Sequence, residues 1–128
     1  MKGINTVMEK IDIHIHTRLP KYSGEGRFKS TGSTETMDYL NKQQIVHGII
    51  MSMGETELPN NAECAEICQE EKNLHWNCNF DAKDPKNIFK RMEACKKLGA
   101  VGVGELFINE KIDSPIIQAI FVAAEQLE

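Results

Sequence analysis

No stretch of this 128-residue chain is apolar for the length of a membrane span, which takes about 20 residues. Basic excess is missing too. The formal charge is -4 and the isoelectric point lies near 5.6, so the electrostatic footprint of a nucleic-acid surface is not there. The opening MKGINTVMEK lacks the apolar centre of an export signal, and the expected compartment is the cytoplasm. Low-complexity segments are absent, as is any repeat beyond a strand–helix period. What remains is 41% apolar and 27% charged, the composition of an ordinary soluble domain. Residues 1–128 are read as one domain with a real core.

Cysteine is scarce: Cys64, Cys68, Cys78 and Cys95. In a cytoplasmic chain these are expected reduced. Cys64 and Cys68 stand one helical turn apart, with His75 and Cys78 after them, but the spacing matches no familiar zinc module. Buried thiols are the plainer reading.

Four apolar or alternating runs read as strands: KIDIHI (10–15), VHGIIMSM (46–53), LHWNCNF (74–80) and AVGVGEL (100–106). A helical pattern follows each. The first covers about 34–43, capped by Ser33 or Thr34, with Met37 and Leu40 inward. The second starts at an Asn60 cap with Glu63 closing a box-like arrangement; Ala62, Cys64, Ala65 and Cys68 recur at helical spacing. The third has Asp84 as cap, Pro85 in its first turn, a stripe of Ile88, Phe89, Met92 and Cys95, and Gly99 as stop. The fourth opens at Ser114-Pro115, turns Ile116, Ile117, Ile120, Phe121 and Ala124 inward, and runs to the last residue. Strand–helix alternation of this kind predicts parallel strands joined by crossovers, in an open sheet or a closed barrel. One long irregular segment, 17–32, follows the first strand.

The first strand is chemically odd. Asp12, His14 and His16 sit two apart, and Ile11, Ile13 and Ile15 alternate with them. Period-two geometry puts the acid and the two imidazoles on one face, the isoleucines on the other. A buried polar group left unpaired costs about 1–3 kcal/mol. A divalent cation taking the imidazole lone pairs removes that cost, with Asp12 as a further ligand or as the group that orients a histidine. Glu105 falls at the C-terminal end of the fourth strand, on the face of Val101 and Val103, where parallel-sheet enzymes keep their chemistry. Gly102 and Gly104 beside it allow close approach; a solvated strand-end acid is the alternative. Within 17–32, Arg18, Lys21, Arg27 and Lys29 stand against one acid, Glu25, which suits a carboxylate or phosphate substrate if the loop does more than float in solvent. Asn77, Asn79 and Asp81 alternate along the third strand, aimed at the site or at the strand end. His47, His75, Met51 and Met53 are read as structural.

IDIHIHT resembles the Asp-x-His-x-His signature of the amidohydrolase superfamily, metal-dependent hydrolases on a (β/α)₈ barrel. LGAVGVGELFIN with IDSP after it resembles the fourth-strand region of the amidohydrolase-related branch, which includes hydrolases and some decarboxylases, and is similar to the Gly-Glu strand of TatD-type deoxyribonucleases. The resemblance implies the N-terminal half, (β/α)₄, of a TIM-type barrel. It implies His14 and His16 as metal ligands, Glu105 as the fourth-strand ligand and catalytic carboxylate, and Asp12 nearby. The implied cofactor is zinc first, with manganese, iron or nickel as alternatives. The charges of 17–32 make a small-molecule substrate, anionic if the loop binds it, the expected partner of Arg18, Lys21 and Arg27.

A complete barrel takes about 250 residues, and this sequence stops at Glu128, where a fifth strand is due. The family's later histidines and its eighth-strand Asp have no counterpart. The expectation is a fragment, or two copies completing one another through exposed sheet edges, with weak or no turnover by one chain. Two other readings stay open. One is a non-catalytic, self-associating half-barrel. The other is a PHP-type phosphoesterase, which shares His-x-His-Thr but places an Asp-His pair where this chain has MSMGE.

Overall fold

The computed structural model describes residues 8–81 and 85–128. Its order is β1 (Lys10–Ile15), α1 (Ser33–Lys42), β2 (Ile45–Met51), α2 (Asn61–Glu70), β3 (Leu74–Cys78), α3 (Ile88–Lys97), β4 (Gly102–Val103) and α4 (Pro115–Leu127). The strands form one sheet in the order β1-β2-β3-β4, every neighbouring pair parallel. The strand–helix alternation is as expected.

One face of the sheet carries the core. Gly48 and Leu74 are paired across β2 and β3, as are Ile50 and Trp76. A Cβ on Gly48 would run into Ile15, Leu74 and Leu40, so this is the face that α1 covers. Ile50, Ile67 and Ile120 are completely shielded, and Trp76, Met92 and Ile117 are buried with them. His47, Ile49, Met51, His75 and Asn77 alternate onto the opposite face.

Local chemistry sets the helix ends. At α2 the Asn60 side chain accepts from Glu63 N at 2.9 Å, the expected cap. The Glu63 carboxylate does not turn back to close a box; it is taken by Arg18 and Leu19 N. Ala62 is exposed, while Cys64, Ala65 and Ile67 face the core. At α1, Gly32 stands at the cap instead of Ser33 or Thr34. Ser33 is held inside the helix because its N–H donates to Arg18 O at 2.7 Å. At α3 the expected cap, Asp84, lies outside the described residues. Pro85 precedes the helix, and Asn87 enters it at φ 62°. Ile88, Met92 and Cys95 are buried there, but Phe89 is exposed, one position off the i, i+4, i+7 row. In α4 the buried row is Ile116, Ile117, Ile120 and Ala123, and Phe121 is exposed.

Two strand readings need correction. Of the three β1 isoleucines only Ile15 is buried; Ile11 and Ile13 lie on the sheet edge and are 62% and 68% exposed. The fourth strand spans two residues rather than seven: Gly104 N still donates to Cys78 O at 2.9 Å, but Gly104 takes φ +120° and the chain turns out of the ladder after it.

Segment 17–32 is a tied lobe. Arg18 bridges to Gly32, Arg18 N donates to Thr31 O at 3.0 Å, and Gly24 N to Ser30 O at 2.9 Å. Pro20–Tyr22 makes one 3₁₀ turn, and Leu19 is buried under it. No helix among the described residues is long and apolar enough to cross a membrane.

Candidate metal centre

Adjacent strands lie about 4.8 Å apart, so β1 and β4 of a flat sheet would be about 14 Å apart. Yet Glu105 Oε2, two residues beyond β4, lies 2.6 Å from His14 Nε2 on β1 and 3.8 Å from Nε2 of His16. The sheet therefore curls, and its concave face holds these three side chains. One ligand atom from each of His14, His16 and Glu105 falls within 4.8 Å of the other two. The imidazole Nε2 atoms are 3.2 Å apart, with rings edge to face.

Strand parity alone does not deliver Glu105 here. Gly102 faces Asn77, since a Cβ on it would lie 2.6 Å from Asn77 Oδ1. That puts Val103 on the opposite, core side, where it packs. Strict alternation would send Glu105 to the same side as Val103. The turn at Gly104 breaks the alternation and brings the carboxylate onto the concave face.

Asp12 is outside the converging group. Its Oδ1 accepts from the His14 backbone N–H at 3.0 Å. Asp12 stands opposite Gly48 and Ile15 opposite Ile50, three residues against two. The extra residue interrupts the alternation between Asp12 and His14, and a one-residue slip changes faces.

The donor set suits a divalent cation. Burial holds the His16 imidazole below its ordinary pKa; His14 pushes the same way and Glu105 opposes both. His16 is thus neutral near pH 7 with a lone pair free. Glu105 Oε2 is shut off from solvent and has no donor of good geometry among the described residues. A cation between these three atoms, or a proton on His14 Nε2 donated to Oε2, would satisfy them. The His14 side chain is half exposed, so the group opens to solvent on one side. Among the described residues no second group of this kind gathers, and Cys64, Cys68, His75 and Cys78 do not converge. Burial pushes the Cys68 thiol up to about 12, and Cys64 higher. His47 and His75 pair with each other at 3.1 Å, at the strand starts.

The basic residues of 17–32 divide. Arg18 is buried: Nε donates to Glu63 Oε1 at 2.8 Å, and one terminal nitrogen donates to Glu25 O at 2.8 Å. Lys21 is exposed against the Tyr22 ring. Arg27 is exposed, 3.5 Å from Glu57, and lies over the Phe28 ring. Phe28, which the sequence did not single out, stacks obliquely on His16 with ring centroids 5.6 Å apart. It joins the imidazoles to a cleft of about 710 Å³ lined by Arg27, Phe28, Asn79, Asp81 and Phe107.

No family model and no curated protein matches the sequence. Solved structures do match. A probable 2-pyrone-4,6-dicarboxylic acid hydrolase from Acinetobacter baumannii, crystallised with citric acid, has a TM-score of 0.65 and 18% identity over 94% of this chain. An Agrobacterium tumefaciens protein solved in its apo form has a TM-score of 0.59 and 19% identity over 97% of this chain. The fold is a half-barrel. The chain spans 47% and 46% of these two proteins, and its four parallel strands with their helices correspond to half of a TIM-like barrel. At such identities the likeness is one of fold.

Proposed function

We propose that the chain carries the metal-binding part of a metal-dependent hydrolase of the amidohydrolase-related type. The observation that supports this is the convergence of His14, His16 and Glu105 from the two edges of a curled parallel sheet. The two solved half-matches, one named as a hydrolase, agree with it. A divalent cation there would polarise a carbonyl and lower the pKa of water to about 7, which is the chemistry of amide and ester hydrolysis and of related decarboxylation. Zinc is the first choice for two imidazoles and a carboxylate, with manganese, iron and nickel as alternatives.

The chain's own residues set the surroundings. His16 stays neutral and offers its lone pair; Phe28 covers one side of the pair; Arg27 supplies a cation at the cleft, whose lining does not include Lys21. Arg27 lines the cleft with Glu57, Asp81 and Glu110 and is paired with Glu57, so an anionic ester or lactone would have to take Arg27 from that carboxylate. Arg18 serves by holding the loop rather than by touching substrate, since its guanidinium is committed to Glu63 and Glu25.

The test is metal content by elemental analysis and lactone hydrolysis with added zinc or manganese. We expect about one ion per chain in the wild type and loss of it in the His14→Ala, His16→Ala double variant. Metal retained by that variant would overturn the reading.

A second reading, self-association through the sheet edges, is favoured by the exposure of Ile11 and Ile13 on β1 and Val101 beside β4. It is compatible with the first.

A further inference from the structure

Glu105 lies just beyond the last bond to β3, Gly104 N to Cys78 O at 2.9 Å. Among the described residues, its carbonyl oxygen is met by Asn79, whose Nδ2 donates to it at 2.6 Å. Asn79 is 2% exposed and every part of it is engaged. The same Nδ2 donates to Ser52 O at 3.2 Å, and Oδ1 accepts from Phe80 N at 2.8 Å. Its backbone is clamped by one carboxamide: Asn79 N donates to Asn61 Oδ1 at 3.0 Å, and Asn61 Nδ2 donates to Asn79 O at 2.9 Å. The end of β2, the start of α2 and the end of β3 are thereby locked together, and the lock reaches out to Glu105.

From this geometry we infer that Asn79 is the positioning residue that aims Glu105 at the imidazole pair. The inference rests on the metal-site reading above. An apolar residue of similar size would leave two carbonyl oxygens unpaired and Glu105 free to swing on the Gly104 turn. Partners bonded to a ligating group change metal affinity by roughly tenfold to a hundredfold when removed; Asn79 holds the backbone that carries the carboxylate, at Glu105 O.

The experiment is a double-mutant cycle read by zinc titration calorimetry and by the cobalt absorption spectrum, on the 128-residue chain. Asn79→Ala should bind zinc at least tenfold more weakly than wild type. Asn61→Ala, which loosens the Asn79 backbone but leaves its Nδ2 bond to Glu105 O in place, should bind more weakly than wild type and more tightly than Asn79→Ala. In a Glu105→Ala background, Asn79→Ala should change affinity by less than about twofold, because its effect passes through the missing carboxylate. Asn79→Ser keeps a hydroxyl for Phe80 N and should behave as Asn79→Ala, which covers the case in which the alanine variant does not fold. Wild-type affinity in Asn79→Ala and Asn79→Ser, or the same loss in the Glu105→Ala background, overturns the inference and leaves the metal site standing. A wild-type chain that binds no zinc, or a His14→Ala variant that binds as well as wild type, overturns both.

Discussion

Arg18 shows how a single residue can look functional and be held by the interior. Its side chain and that of Glu63 are 2% and 5% exposed. Glu63 Oε1 accepts from Arg18 Nε and, at 3.0 Å, from Leu19 N. The second oxygen of Glu63 is buried with no partner among the described residues, so the pair is tight but not saturated. Removing one member of a buried pair strands the other charge, at a cost of about 3–5 kcal/mol. Glu63→Ala is expected to lose that much stability in urea titration. Arg18→Met combined with Glu63→Leu should recover part of it, because no bare charge is left inside. Arg18 follows His16 by two residues, so the pair also pins the strand end that presents the imidazoles.

Among the elements, the short β4 decides the site. Gly104 lies at φ +120°, a region that residues with a Cβ rarely enter. The nearest atom to a Cβ placed there is Leu106 N at 3.8 Å, so space is available and the cost is backbone strain. Gly104→Ala is expected to destabilise the protein by about 1–3 kcal/mol in urea titration, or to relax by moving Glu105 and so weaken zinc binding. Unchanged stability together with unchanged zinc affinity would contradict this account. At Gly102 the obstacle is different, the Asn77 side chain, which can swing aside. The two glycines therefore separate strain from crowding within three residues.

Taken whole, the molecule is an all-parallel sheet with two edge strands. Ile11 and Ile13 are bare on one edge, and Val101 is 59% exposed beside the other. Unpaired edges with apolar side chains recruit a further strand. A partner β1 laid against β4 keeps the strands parallel, and two such contacts bring eight strands together. We therefore expect the 128-residue chain to sediment above the monomer mass of 14.5 kDa at micromolar concentration. Ile13→Lys should return it to monomer without loss of helical signal. A monomer at all concentrations would remove the self-association reading and leave the metal site untouched.

Alternation of strand and helix, the parallel sheet, the Asn60 cap, the Gly99 stop and the pairing of His14 with His16 were all legible in the sequence, because each depends on neighbours a few residues away. Glu105 was legible as a candidate by its place at a strand end, although parity assigned it to the wrong face. Only the tertiary structure could decide its aim, since that depends on the turn at Gly104, the curl of four strands and the grip of Asn79. Arg18 was misread for the same reason. A basic side chain in a loop looks solvated until the fold brings Glu63, 45 residues on, to within 2.8 Å of it. Local periodicity fixes which residues can share a face. The curvature of the sheet and the partners it brings from far along the chain fix which of them meet.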